Sequence, residues 1–213
     1  KLLRQVSKPV SKVGKEEQRL MTDMLETMYA ASGIGLAAIQ VGIPKRIIVM
    51  DICKGENKKE PRYFVNPIIK NKDPLKATYE EGCLSVPNQF ADIDRPSKCE
   101  VEYLDYNGQK QLLKAEGLLA TCIQHEMDHL EGILFIDYLS KLKRSMIIKK
   151  LSKLKSFNSK YKNDLKVFSV DVTNLSKLLS VSKDIDSPDL LILNAGIYEP
   201  VLIKNFSAET FVK

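Results

Sequence analysis

The chain has 213 residues, is 44% hydrophobic and 28% charged, and carries a net charge of +6 with four cysteines and two histidines. These proportions fit a globular protein able to bury a real core, and no apolar run approaches the roughly 18 residues that cross a membrane. The sparse, irregularly spaced thiols (Cys53, Cys83, Cys99, Cys122) exclude a disulfide framework and, with no visible secretory signal, predict a reducing cytoplasmic location.

The charge is uneven. Residues 158–213 hold seven lysines against seven acids, so the whole excess lies in the first 157. This shift near Phe157 divides the chain into a domain, 1–157, and a tail, 158–213.

Residues 1–15 read as an irregular lead-in. From Glu16 to Ala31, Leu20, Met24 and Met28 recur every four residues, which predicts an amphipathic helix. The stretch Gly33-Ile34-Gly35-Leu36-Ala37-Ala38-Ile39-Gln40 follows, its two glycines allowing close backbone approach. It is a connector or a site wall, not a dinucleotide loop, because no third glycine follows in register and no strand precedes it.

Ile47–Asp51, Tyr63–Ile69 and Ala77–Glu80 read as strands, the last running into Glu81-Gly82-Cys83-Leu84-Ser85. Cys99, Val101 and Tyr103 alternate with acids as a half-buried strand, and Asn107-Gly108 turns the chain back through Lys110–Lys114. Strands around one helix give an α+β fold, with antiparallel sheets about a buried central helix, rather than a βαβ repeat.

That helix lies inside Glu116–Gly132 and carries Gln124-His125-Glu126-Met127-Asp128-His129. Histidines four apart share a helix face and can grip one divalent cation, and the intervening Glu126 can reach a water on it. HExxH also occurs by chance on surface helices. Here, however, it holds the only two histidines of the chain, among apolar neighbours (Leu118, Leu119, Cys122, Ile123, Met127, Leu130) that predict burial. Two imidazoles and two acids in a core are costly without a shared ligand. Gly132 is a helix stop. The pair lacks a third ligand. Cys83 is the best candidate because a thiolate suits a borderline cation, with a buried structural cysteine as the rival reading.

A second helix is expected over Asp137–Lys155, with Leu139, Leu142, Met146, Leu151 and Leu154 as its apolar side. Seven basic residues (Lys141, Lys143, Arg144, Lys149, Lys150, Lys153, Lys155) form either a solvated face or a contact for a polyanion such as RNA. In the tail, Val167–Thr173 and Asp189–Gly196 read as buried strands joined by a helix, a β-α-β fragment.

Three stretches, Gly33–Gln40, Glu81–Ser85 and Gln124–Gly132, resemble in order and separation the signature stretches of peptide deformylase over residues 1–157. The resemblance implies removal of the formyl group from the N-terminal formylmethionine of nascent peptides, with release of formate. It implies that Cys83, His125 and His129 hold the metal, most often Fe(II), with Zn(II), Ni(II) or Co(II) as alternatives. Glu126 would be the general base, Gln40 and the Leu84 N–H would steady the oxyanion, and Gly35 would bind substrate backbone. Ile34, Gly82, Leu118, Cys122 and His125 would line the methionine pocket, where Thr121 is more polar than usual. Gln124 and Asp128 would orient the ligands, and the basic helix would touch the ribosome.

Family members carry an extra N-terminal edge strand, so a late start is expected to weaken the fold without touching the chemistry. The tail resembles the middle of a short-chain dehydrogenase, lacking its phosphate turn and its Tyr-x-x-x-Lys pair, so an inactive or misjoined fragment without nucleotide cofactor is expected. The competing readings are an HExxH metallopeptidase, a dehydrogenase and a non-catalytic ribosome-binding module.

Overall fold

The strand Ile47–Met50 is apolar at every position and buried on both faces, which places it inside a layered structure. In the computed structural model, which describes residues 2–53 and 59–160 and side chains up to 153, this strand (β2) pairs antiparallel with β1 (Gly35–Ala37) and β3 (Arg62–Lys72). Strands β4 (Lys76–Cys83) and β5 (Val86–Pro96) form a separate two-stranded sheet. Strands β6 (Lys98–Leu104) and β7 (Lys110–Glu116) complete a five-stranded antiparallel sheet of order β1-β2-β3-β6-β7. Three helices follow the same numbering: α1 (Lys15–Ala30), α2 (Gly117–Leu130) and α3 (Lys141–Lys160).

The pleat of β2 divides the core. Ile47 and Val49 pack with Met21, Met24 and Met28 of α1, while Ile48 and Met50 join Phe64, Val101, Ile123 and Leu130 around α2. Each buried methionine contributes about 1.5–3 kcal/mol relative to exposure, which is what docks α1. Helix α2 contacts strands of both sheets and is buried from Ala120 to Glu126 and again at His129 and Leu130. Its stop is a Schellman motif at Gly132 (φ +71°). The Ile133 N–H donates to Asp128 O at 2.9 Å and the Gly132 N–H to His129 O at 3.2 Å.

The α+β architecture with a buried central helix stands as the sequence implies. Four local expectations do not. The lead-in includes a 3-10 turn at Leu2–Arg4. The glycine stretch contains β1 and a 3-10 turn, Ala38–Val41, instead of a connector. An unexpected strand, β5, pairs along the whole of β4; its acidic solvent face hid the alternation.

The helix expected from Asp137 is broken. A 3-10 turn, Phe135–Tyr138, precedes α3, and the Ser140 hydroxyl caps the Lys143 N–H at 3.4 Å. The buried side of α3 is Ile147 with Leu151, packed on Phe135 and Ile136, whereas Leu142 and Met146 are 73% and 53% exposed. The expected tail strands, their connecting helix and the dehydrogenase-like fragment lie outside the described residues. By contacts the chain divides between Ser156 and Phe157.

Candidate active site

A two-residue turn, Leu84-Ser85, joins β4 to β5 and sets Cys83 opposite Val86 at the end of the ladder. This points its sulfur at α2. Cys83 Sγ lies 3.2 Å from His129 Nε2, and ligand atoms of Cys83, His125 and His129 all fall within 4.8 Å of one another. Among the described residues this is the one group of three acidic, thiol or imidazole side chains so arranged. The two rings are 5.1 Å apart and nearly perpendicular, as expected for histidines one helical turn apart.

The outer nitrogen of His125 is engaged. Its Nδ1 lies 2.8 Å from Glu81 Oε2, which leaves Nε2 for the centre of the triad. Glu81 is in turn gripped by both edges of the Arg95 guanidinium, through Nε and through Nη2 at 3.0 Å. Arg95 Nη1 reaches Asp128 at 2.8 Å, and Asp128 also accepts from Tyr138 OH at 2.9 Å. The chain Asp128–Arg95–Glu81–His125 is therefore a nearly closed ion-pair network, with Arg95 4% and Glu81 6% exposed. A carboxylate behind a ligating imidazole fixes its orientation and raises its basicity.

Burial pushes the His125 imidazolium down, but Cys83 and Glu81 more than reverse this and raise it. Burial, and then the charge on His125, push the neighbouring His129 well below its ordinary value. The donor set of one thiolate and two imidazoles fits a tetrahedral cation with an open fourth place.

Glu126 is 4% exposed, and its Oε2 makes no hydrogen bond with the protein. Burial pushes its carboxyl up to about 7, against the His125 charge, which is the range a proton carrier needs at neutral pH. Gly35 makes room for it: a Cβ there would sit 2.6 Å from Glu126 Oε1 and 2.9 Å from Cys122 Sγ. Gln40 is oriented by its own backbone. Its Oε1 accepts from the Ala37 N–H at 2.8 Å, so its Nε2 faces Ser85 Oγ at 3.0 Å and Cys83 Sγ at 3.7 Å.

Ile34, Gly35, Gln40, Gly82, Cys83, Leu84, Leu118, Cys122, His125 and Glu126 all line one cleft of about 470 Å3, which is every metal, catalytic and substrate residue expected from the sequence except His129. His129 is 1% exposed and closes the triad from behind. The Cys122 thiol donates weakly to Ile34 O at 3.8 Å, and burial pushes it up, so it lines the wall as a neutral group. Of the two expected orienting residues, Gln124 sits elsewhere and Asp128 acts at one remove. Gln124 bonds to Pro96 O and Ala120 O, and Asp128 reaches no ligand directly but holds Arg95. The sequence reading missed Glu81 and Arg95. Strand alternation could have found the first, since residues 81 and 83 share a face of β4.

A sequence model described as polypeptide deformylase matches residues 1–145. A peptide deformylase of Pelagibacter ubique is 80% identical over 156 residues, covering 73% of this chain and 91% of the relative. One from Phenylobacterium zucineum is 60% identical over 151 residues, covering 71% and 89%. Among solved structures, the Ehrlichia chaffeensis peptide deformylase superposes with a TM-score of 0.69 at 44% identity, covering 73% of this chain and 92% of that one. The same organism's enzyme in complex with actinonin gives 0.67 at 47% identity, covering 72% and 91%.

Proposed function

The chain belongs to the polypeptide deformylase family, and from that premise we propose how its own residues remove the formyl group from the N-terminal formylmethionine of nascent polypeptides and release formate. The observation that carries the reading is the convergence of Cys83, His125 and His129 within 4.8 Å of one another beside a buried, unpartnered Glu126 oxygen.

Cys83, His125 and His129 hold one divalent cation, Fe(II) by preference, though this borderline ligand set also suits zinc, nickel and cobalt. Such a cation polarises a carbonyl and brings a bound water from a pKa of 15.7 to about 7. Glu126 accepts the proton of the attacking water and passes it to the departing amine; its carboxyl, held up to about 7, can do both near neutral pH.

Negative charge collects on the formyl oxygen as the water adds. Gln40, its amide fixed by Ala37, donates to that oxygen together with the Leu84 N–H. Gly35, on the edge strand β1, offers backbone hydrogen bonds to the peptide. Ile34, Gly82, Leu118 and Cys122, with His125, receive the methionine side chain.

The enzyme acts in the cytoplasm, where formylated chains emerge. The exposed lysines of α3 present a basic surface suited to ribosomal RNA. Residues 1–157 form the deformylase domain. The dehydrogenase-like reading of 158–213 rests on sequence alone, and no nucleotide cofactor enters this chemistry.

Formate release from formyl-Met-Ala-Ser by anaerobically purified protein tests the reading, with unformylated Met-Ala-Ser as the control. Formate with an intact Met–Ala bond is expected. Cleavage of that bond instead would favour the HExxH metallopeptidase.

A further inference from the structure

Phe90 stands apart from the chemistry just assigned. It sits on β5, lines the same cleft and is 65% exposed, an unfavourable position for a large aromatic ring unless something covers it. The ring is not loose. Phe90 pairs across the hairpin with Gly82, and a Cβ at position 82 would stand 2.5 Å from the ring's Cε1. An aromatic laid over a cross-strand glycine is held in place by the pair, so one face is seated and the other looks out.

Ile34 and Leu84, 44% and 39% exposed, are the other large apolar side chains showing on this cleft. None of its described lining residues is a lysine or arginine, and Glu80 is exposed within it. An acidic side chain entering at that end meets Glu80 and finds no lysine or arginine to pair with.

We propose that Phe90 is a specificity-determining residue, its exposed ring receiving the side chain of the third residue of the formylated peptide and favouring apolar over acidic residues there. The inference rests on the deformylase reading and deepens it. In an extended peptide, residues one and three share a face, about 6.6 Å apart. With methionine against Gly82, the third side chain is the one carried toward the ring seated on Gly82. If Phe90 merely covered Gly82, its loss would lower activity on all peptides alike.

The test is kcat and KM for formate release from formyl-Met-Ala-Leu, formyl-Met-Ala-Ser and formyl-Met-Ala-Asp, with a matched series varied at the second residue. The full chain is compared with Phe90→Ala and Phe90→Leu. Leu is expected to exceed Asp at the third position by about tenfold in kcat/KM, carried by KM, as one apolar contact can supply. Phe90→Ala should collapse that ratio to about twofold, and Phe90→Leu should restore most of it.

An unchanged ratio in Phe90→Ala, an equal loss on every peptide, or a preference carried by the second residue would each overturn the proposal. If the parent chain releases no formate from any of these peptides, the deformylase reading fails instead, and the proposal falls with it.

Discussion

Glu126 meets two opposing demands at the residue scale. Burial raises its carboxyl while positive charge at His125 lowers it, and the balance near 7 lets it take and return a proton. Glu126→Gln should keep its cation and lose about 10²–10⁴-fold in turnover. Metal content by mass spectrometry and formate release, measured together, separate that outcome from loss of the site. Glu81 acts one step back, through His125. Glu81→Gln weakens the acceptor behind the imidazole and should cost about 10–100-fold in metal affinity, read by competition with a chelator. The ligands were legible because the spacing of HExxH is local and the glycine beside Cys83 frees its approach. Arg95 was not, because its partner Glu81 lies 14 residues away and meets it only through the β4–β5 pairing. A lone arginine in Asp-Arg-Pro reads as surface.

At the scale of elements, the same distinction holds. α1 shows its four-residue repeat and α2 its stop at Gly132, and the structure has both helices within a residue or two. β5 was hidden because its buried apolar residues, Val86 and Ile93, are seven apart with Phe90, Asp92 and Asp94 on the exposed side between and beyond them; its register is set by β4 and by the turn at Leu84-Ser85. The break before α3 was hidden because the Asp137 side chain, not helix propensity, decides it.

Partial burial pushes the Asp137 carboxyl up, but Arg4, the Leu134 N–H and Arg144 outweigh this and hold it below the usual carboxylate range. A carboxyl whose folded pKa is depressed adds stability that is complete above its unfolded pKa and is lost as pH falls through the lower, folded value. Asp137→Asn should therefore lower the unfolding free energy at pH 7, read by urea titration, by about 0.2–1 kcal/mol for a partly exposed cluster. The difference from the parent should vanish at the acid end.

At the scale of the whole molecule, the contact boundary falls between Ser156 and Phe157. The family model matches residues 1–145, and the relatives named above align over 156 and 151 residues of the chain. If residues 1–157 are the deformylase domain, a chain ending at Lys160, which keeps α3 whole, should match the full chain in kcat/KM on formyl-Met-Ala-Ser. A large loss would assign the tail a part in the activity.

Deformylation by this chain depends on one thiolate and two imidazoles sharing a cation. X-ray absorption at the metal edge of the anaerobically purified protein tests this most directly. It should show one sulfur at about 2.3 Å and two imidazole nitrogens at about 2.0–2.1 Å, the distances such ligands take on zinc, with the sulfur gone in Cys83→Ser. A first shell of nitrogen and oxygen alone in the parent protein would contradict it.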